Sequence, residues 1–106
     1  MSSTTPEGKV KAKLAAMLKA NKVWYFFPAN NGFGKAGIPD VILCWYGRFI
    51  GVEVKSARGK PTDLQLHVGA QIQDAGGKWF LVRSESDIAQ LETVLINIRD
   101  NYHAGS

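Results

Sequence analysis

Cysteine is nearly absent. Cys44 is the one thiol in 106 residues, so no intrachain disulfide forms and a disulfide-stapled secreted scaffold is excluded. The two histidines, His67 and His103, have no Cys or His partners at metal-ligand spacing, which excludes a zinc-finger reading. Long apolar runs are missing too. The longest, residues 23–27 and 41–45, fall far short of the roughly 20 that span a bilayer, and the first residues carry no apolar signal core. A soluble protein of a reducing, cytoplasmic compartment is the expectation. Charge of one sign is not dominant either: thirteen Lys and Arg against nine Asp and Glu give +4 and a pI near 9.4, a modest excess that favours polyanionic partners.

What is present is the makings of one core. A chain of 11.6 kDa with 45% apolar residues is too short for two domains and too apolar for disorder. Residues 6–100 are expected to form the single domain, with 1–5 and 101–106 as flexible termini. From 6 to 21, Val10, Leu14, Met17 and Leu18 make one helical stripe with lysines mostly off it. Residues 23–27 read as a strand, followed by a turn-rich loop to Gly37, and 40–45 and 48–55 read as two more strands. A second helix starts near Thr62 and stops at Gly76-Gly77, 79–82 is a fourth strand, and a last helix covers 86–98. The order α-β-β-β-α-β-α predicts an α/β fold, a mixed sheet flanked by helices.

The turn Trp45-Tyr46-Gly47-Arg48 is the most informative local feature. With Tyr46 and Gly47 as a two-residue loop, the strands pair antiparallel with Cys44 opposite Phe49, Ile42 opposite Gly51 and Asp40 opposite Glu53. Lys55 lies two residues past Glu53 on the same face. Two carboxylates so close repel, and a divalent cation is the natural compensation. Hard oxygen ligands suit Mg²⁺ or Mn²⁺, and an ammonium beside them suits a water attacking a phosphodiester. The structural alternative is that Asp40 starts a strand after Pro39, while Glu53 and Lys55 form a surface ion pair worth about 0–1 kcal/mol.

At these residues the sequence resembles the PD-(D/E)XK nuclease superfamily, and within it the virus-type replication-repair nuclease (VRR-NUC) domain. The resemblance covers almost the whole chain: Glu7 in the first helix, Asn30 to Gly37 leading into Gly37-Ile38-Pro39-Asp40, then Gly51-Val52-Glu53-Val54-Lys55, and Thr62 to Gln65 at the second helix. It implies a restriction-endonuclease-like core in which Asp40, Glu53 and the Val54 backbone carbonyl bind the metal. Lys55 would assist the attacking water, Glu7 reach the metal directly or through water, and Gln65 stand beside the lysine. It implies, further, a homodimer that cuts branched DNA such as four-way (Holliday) junctions, with a role in DNA repair and a source in a phage or prophage-bearing bacterium. Glu7 and Gln65 also have capping readings, since Thr4 precedes Glu7 and Thr62 precedes Gln65 by three residues. A different class remains open, a non-catalytic nucleic-acid-binding module of the same fold, as does a nuclease of restriction-like or end-processing preference.

Lys9, Lys11, Lys13, Lys35, Arg58 and Lys60 are the candidate DNA-phosphate contacts, each with a plain surface-charge alternative. The run Gly32-Phe33-Gly34-Lys35-Ala36-Gly37 fits G-x-G-x-x-G, but Ile38-Pro39-Asp40 follows where a helix is required, so a dinucleotide site is rejected. No nucleotide cofactor and no membrane partner are expected. Cys44 is expected in the core and His67 at the surface.

Overall fold

The computed structural model describes residues 5–29 and 36–105, so Lys35 and most of the glycine-rich run lie outside the described residues. Thr5 opens the first helix, α1 (Pro6–Ala20): its side-chain oxygen accepts from the Gly8 N–H at 3.0 Å, and Pro6 takes the first helical position, where an N–H is not needed. The cap expected at Thr4 is therefore one residue later, and Thr4 itself lies outside the described residues. Leu14 and Leu18 are the fully buried pair of the helix.

Four strands follow in one sheet of order β1-β2-β3-β4: β1 (Trp24–Phe26), β2 (Val41–Trp45), β3 (Arg48–Val54) and β4 (Lys78–Val82). The first three pair antiparallel, while β4 runs parallel to β3 after the crossover helix α2 (Asp63–Asp74). The last helix is α3 (Glu85–Ala104), capped by Ser84, whose oxygen accepts from the Asp87 N–H at 3.1 Å. The α-β-β-β-α-β-α order and the mixed sheet agree with the expectation. The hairpin register agrees as well: Cys44 pairs with Phe49 and Ile42 with Gly51, across a turn in which Tyr46 (φ 50°) and Gly47 (φ 80°) are both left-handed.

Three points differ from the expectation. The ladder ends at Val41↔Val52, so Asp40 stands one residue before β2. The carboxy-terminal residues are not a loose tail: α3 continues past Ile98 to Ala104, and Tyr102 and His103 pack on the Tyr46 ring with centroids 5.0 and 5.4 Å away. Cys44 is exposed, on the side of β2 where Ile42 is covered but the turn end of the strand is not.

The two faces of the sheet are used differently. Val41, Leu43 and Trp45 of β2 and Ile50, Val52 and Val54 of β3 point to one face and form the core with Leu14, Leu18, Ile88, Leu91, Leu95 and Ile98 from α1 and α3. Trp45 also donates from Nε1 to the Leu95 carbonyl at 2.7 Å. The opposite face carries α2 over β3 and β4. Here a Cβ on Gly69 would stand 2.8 Å from the Trp79 indole, so the helix rides on the ring at the one position without a side chain.

Gly37 and Gly47 are both left-handed but differ in surroundings. A Cβ on Gly47 meets nothing within 4 Å, whereas one on Gly37 (φ 82°) would stand 2.9 Å from Leu64 Cγ and 3.0 Å from the Leu64 carbonyl oxygen. Gly47→Ala should therefore cost about 1 kcal/mol of backbone strain, and Gly37→Ala about 2–3 kcal/mol, because α2 must also move. Denaturant unfolding of the two variants checks the order, and an equal cost would contradict the packing argument.

Candidate active site

The site is assembled where β2 begins and β3 ends. Pro39 is fully buried, and a Cβ on Gly51 would lie 2.7 Å from Pro39 Cγ. Gly51 is thus the gap into which Pro39 fits, and this interlock holds the next residue, Asp40, at the mouth of the hairpin. The half-buried Asp40 accepts through Oδ2 from the Val54 N–H at 2.8 Å. Its carboxylate is tied to the backbone of the strand that carries Glu53.

Glu53 is 1% exposed, the one fully buried charged residue among the described residues. Neither Oε1 nor Oε2 has a hydrogen-bond partner. Lys55 Nζ lies 3.5 Å from Oε2, within ion-pair range, with its own side chain 18% exposed. Burial pushes the Glu53 carboxyl up to about 7, the charge on Asp40 pushes the same way, and Lys55 pulls against both. A buried acid without a hydrogen bond is rare, because its desolvation is uncompensated. It is also a ready cation receptor. Two carboxylates this close, Glu53 and Asp40, are oxygen donors of the kind a hard divalent ion takes.

The other expected site residues are spread more widely. Glu7 lies half-buried in the first turn of α1, and no group of three or more acidic, His or Cys side chains fit for a metal forms among the described residues. Gln65 closes a capping box: its Oε1 accepts from the Thr62 N–H at 2.8 Å and its own N–H donates to Thr62 Oγ1 at 3.1 Å. That occupies the oxygen of the amide and leaves its nitrogen out of the box. Arg58 and Lys60 are exposed on the loop after Lys55. Lys13 pairs with Glu85 at 2.7 Å, Lys11 stands 5.7 Å over the Phe27 ring, and Lys9 is exposed on α1. One cation that the sequence did not single out, Arg83, follows β4 directly. The parallel ladder, extended by one residue from Val54↔Val82, sets it beside Lys55.

Because the folded-state value for Glu53 lies above the ordinary 4.5, the fold accommodates the neutral acid and penalises the anion. Its contribution to stability is full below pH 4.5 and is lost as pH rises through about 7, a loss of about 3 kcal/mol in the absence of metal. Glu53→Gln should therefore be more stable than the parent at pH 8 in chelator and indistinguishable near pH 4. Urea unfolding across this range tests it, and a difference that does not change with pH would refute the assignment.

No family model matches the sequence, and no curated protein is similar to it. Among solved structures, one described as a VRR_NUC domain superposes with a TM-score of 0.73 at 26% sequence identity, over 83% of this chain and 95% of that one. The α/β architecture described above, with its four-stranded mixed sheet, is VRR-NUC-like.

Proposed function

We propose that the chain is a metal-dependent DNA endonuclease that hydrolyses phosphodiester bonds, with branched DNA such as four-way junctions as its substrate. The observation that carries this reading is the Glu53 carboxylate, buried without a hydrogen bond, facing Asp40, with Lys55 3.5 Å away. Asp40, Glu53 and the Val54 carbonyl would hold Mg²⁺ or Mn²⁺, which when bound lowers the pKa of a water and offsets charge on the phosphoryl group. The rest is the work of the chain itself. Lys55, held near Glu53, orients the water for attack on phosphorus and counters the negative charge that grows as the bond to the leaving oxygen breaks. The Val54 N–H fixes Asp40 so that its free oxygen, Oδ1, keeps one direction. Glu7, in the first turn of α1, would reach the metal directly or through water. Gln65 contributes its amide nitrogen beside Lys55, and Lys9, Lys11, Arg58 and Lys60 hold DNA phosphates.

Cleavage of labelled duplex, flap and four-way-junction DNA, with Mg²⁺, Mn²⁺ or EDTA, tests this. Junction cutting should require metal, and Asp40→Asn or Lys55→Ala should lower it at least about 100-fold without unfolding the protein. If junction DNA is bound but not cut with any metal, the chain is a binding module. Cutting that survives both substitutions would remove the assigned roles.

A homodimer is part of the proposal, since each chain has one such site and two opposed cuts need two. Supporting it, Trp24 (62% exposed), Phe26 and Phe49 lie with Cys44 on the uncovered side of the sheet, at the edge strand β1. Three aromatics about half exposed present on the order of 300 Å² of apolar surface, the size of a functional patch. Trp24→Lys should halve the mass measured by light scattering and abolish paired cutting while the helical circular dichroism persists. A parent that is monomeric at high micromolar concentration would exclude the dimer.

A further inference from the structure

The end of β4 places an arginine that the catalytic pair does not account for. Glu53 pairs with Leu81 and Val54 with Val82, and the Lys55 N–H donates to the Val82 carbonyl at 3.0 Å. The ladder ends there, and its spacing carried one residue further puts Arg83 opposite Lys55, about 5 Å away and on the face that Glu53 and Lys55 share. A second contact places its far end. Arg83 Nη1 lies 3.5 Å from the Gly59 carbonyl oxygen, and Gly59 itself folds against Lys55, so close that a Cβ there would stand 3.1 Å from Lys55 Cβ. The guanidinium is therefore brought back alongside the lysine stem.

Arg83 is half-buried, yet no carboxylate pairs with it among the described residues. Glu85, the acid nearest in sequence, pairs with Lys13, and Asp87 accepts from the Arg83 backbone N–H at 2.8 Å and not from its side chain. The single side-chain contact is at the long limit for a hydrogen bond, so most of the five N–H donors are unspent. A fork of donors with a permanent charge, held by the loop that packs on Lys55, matches the paired oxygens of a phosphate.

We infer that Arg83 grips a DNA backbone phosphate next to the one that is cut, a substrate contact that rests on the nuclease reading above. It holds the strand in register while Lys55 and the carboxylates act on the neighbouring phosphate. Its effect is on binding and is blind to base sequence.

Binding of a fluorescent four-way junction in EDTA, measured against salt concentration, tests this with the full chain and with Arg83→Gln and Arg83→Lys. Arg83→Gln should weaken binding about tenfold on every sequence and reduce the slope of log K against log salt by about 0.9, one phosphate contact. Arg83→Lys should keep the slope and recover part of the affinity. With Mg²⁺, Arg83→Gln should raise KM far more than it lowers kcat. If the parent binds and cuts but Arg83→Gln leaves the slope unchanged, whatever its melting temperature, Arg83 only braces the 56–61 loop and this inference alone fails. If Arg83→Gln does not fold, Arg83→Lys decides: a slope reduced as for a lost contact would overturn the charge argument. A parent that neither binds nor cuts DNA overturns the nuclease reading together with this one.

Discussion

The burial of Glu53 is forced by its neighbours. In β3 the residues from Ile50 to Val54 are all buried, and Val52 and Val54, both without exposure, are anchored between α1 and α3. Side chains alternate along a strand, so Glu53 must point to the other face. Turning it outward would need a one-residue slip, which would drive Val52 and Val54 out of the core and cost several kcal/mol at the usual value for apolar area. The hydrophobic register thus holds a carboxylate where water cannot solvate it. Everything near the site is arranged around that fact: Asp40 at the hairpin mouth, Lys55 two residues on, and a carboxyl pushed up to about 7.

The division of labour between the two sheet faces follows. One face, closed by α1 and α3, holds the main apolar cluster and the Trp45 bond to Leu95. The other is built by close approach: Pro39 over Gly51, Leu64 over Gly37, Trp79 under Gly69. Glycine at each of these places brings backbone to side chain without a void, so the loop bearing Asp40 and the helix after the Lys55 loop are fixed without a second large core. That face can then leave part of β1 and β2 open, as the exposure of Trp24, Cys44 and Phe49 shows.

Much of this was legible in the sequence because it is local. Tyr46-Gly47 admits a turn with two left-handed residues, and that turn alone sets which β2 residue faces which β3 residue. What was not legible depends on partners far along the chain. That β4 lies parallel to β3 and sets Arg83 beside Lys55 is a matter of sheet order, to which periodicity is blind. The exposure of Cys44 and Trp24 was hidden for the same reason, since an alternating strand looks alike whether or not a helix covers its second face. The cap of α1 was misplaced because Thr4 and Glu7 fit the usual box spacing, while Pro6 at the first helical position makes Thr5 the cap. The length of α3 was underestimated because residues 101–104 are mostly polar; no glycine or proline stops the helix before Gly105, and Tyr46 supplies a ring for Tyr102 and His103 to pack on.

Stability and chemistry are opposed at one residue. An anionic Glu53 with no hydrogen bond weakens the fold, and Lys55 at 3.5 Å, part-exposed and shared with solvent, offsets only part of that. Replacing Glu53 with an apolar residue of similar volume would remove the penalty. This chain nevertheless carries Glu53 at this position, with Pro39 seated on Gly51 and Asp40 held beside it, an arrangement whose charge a nearby cation would offset. The penalty on a charged Glu53 near neutral pH and the cation binding proposed for it would have one origin, the same incompletely compensated carboxylate.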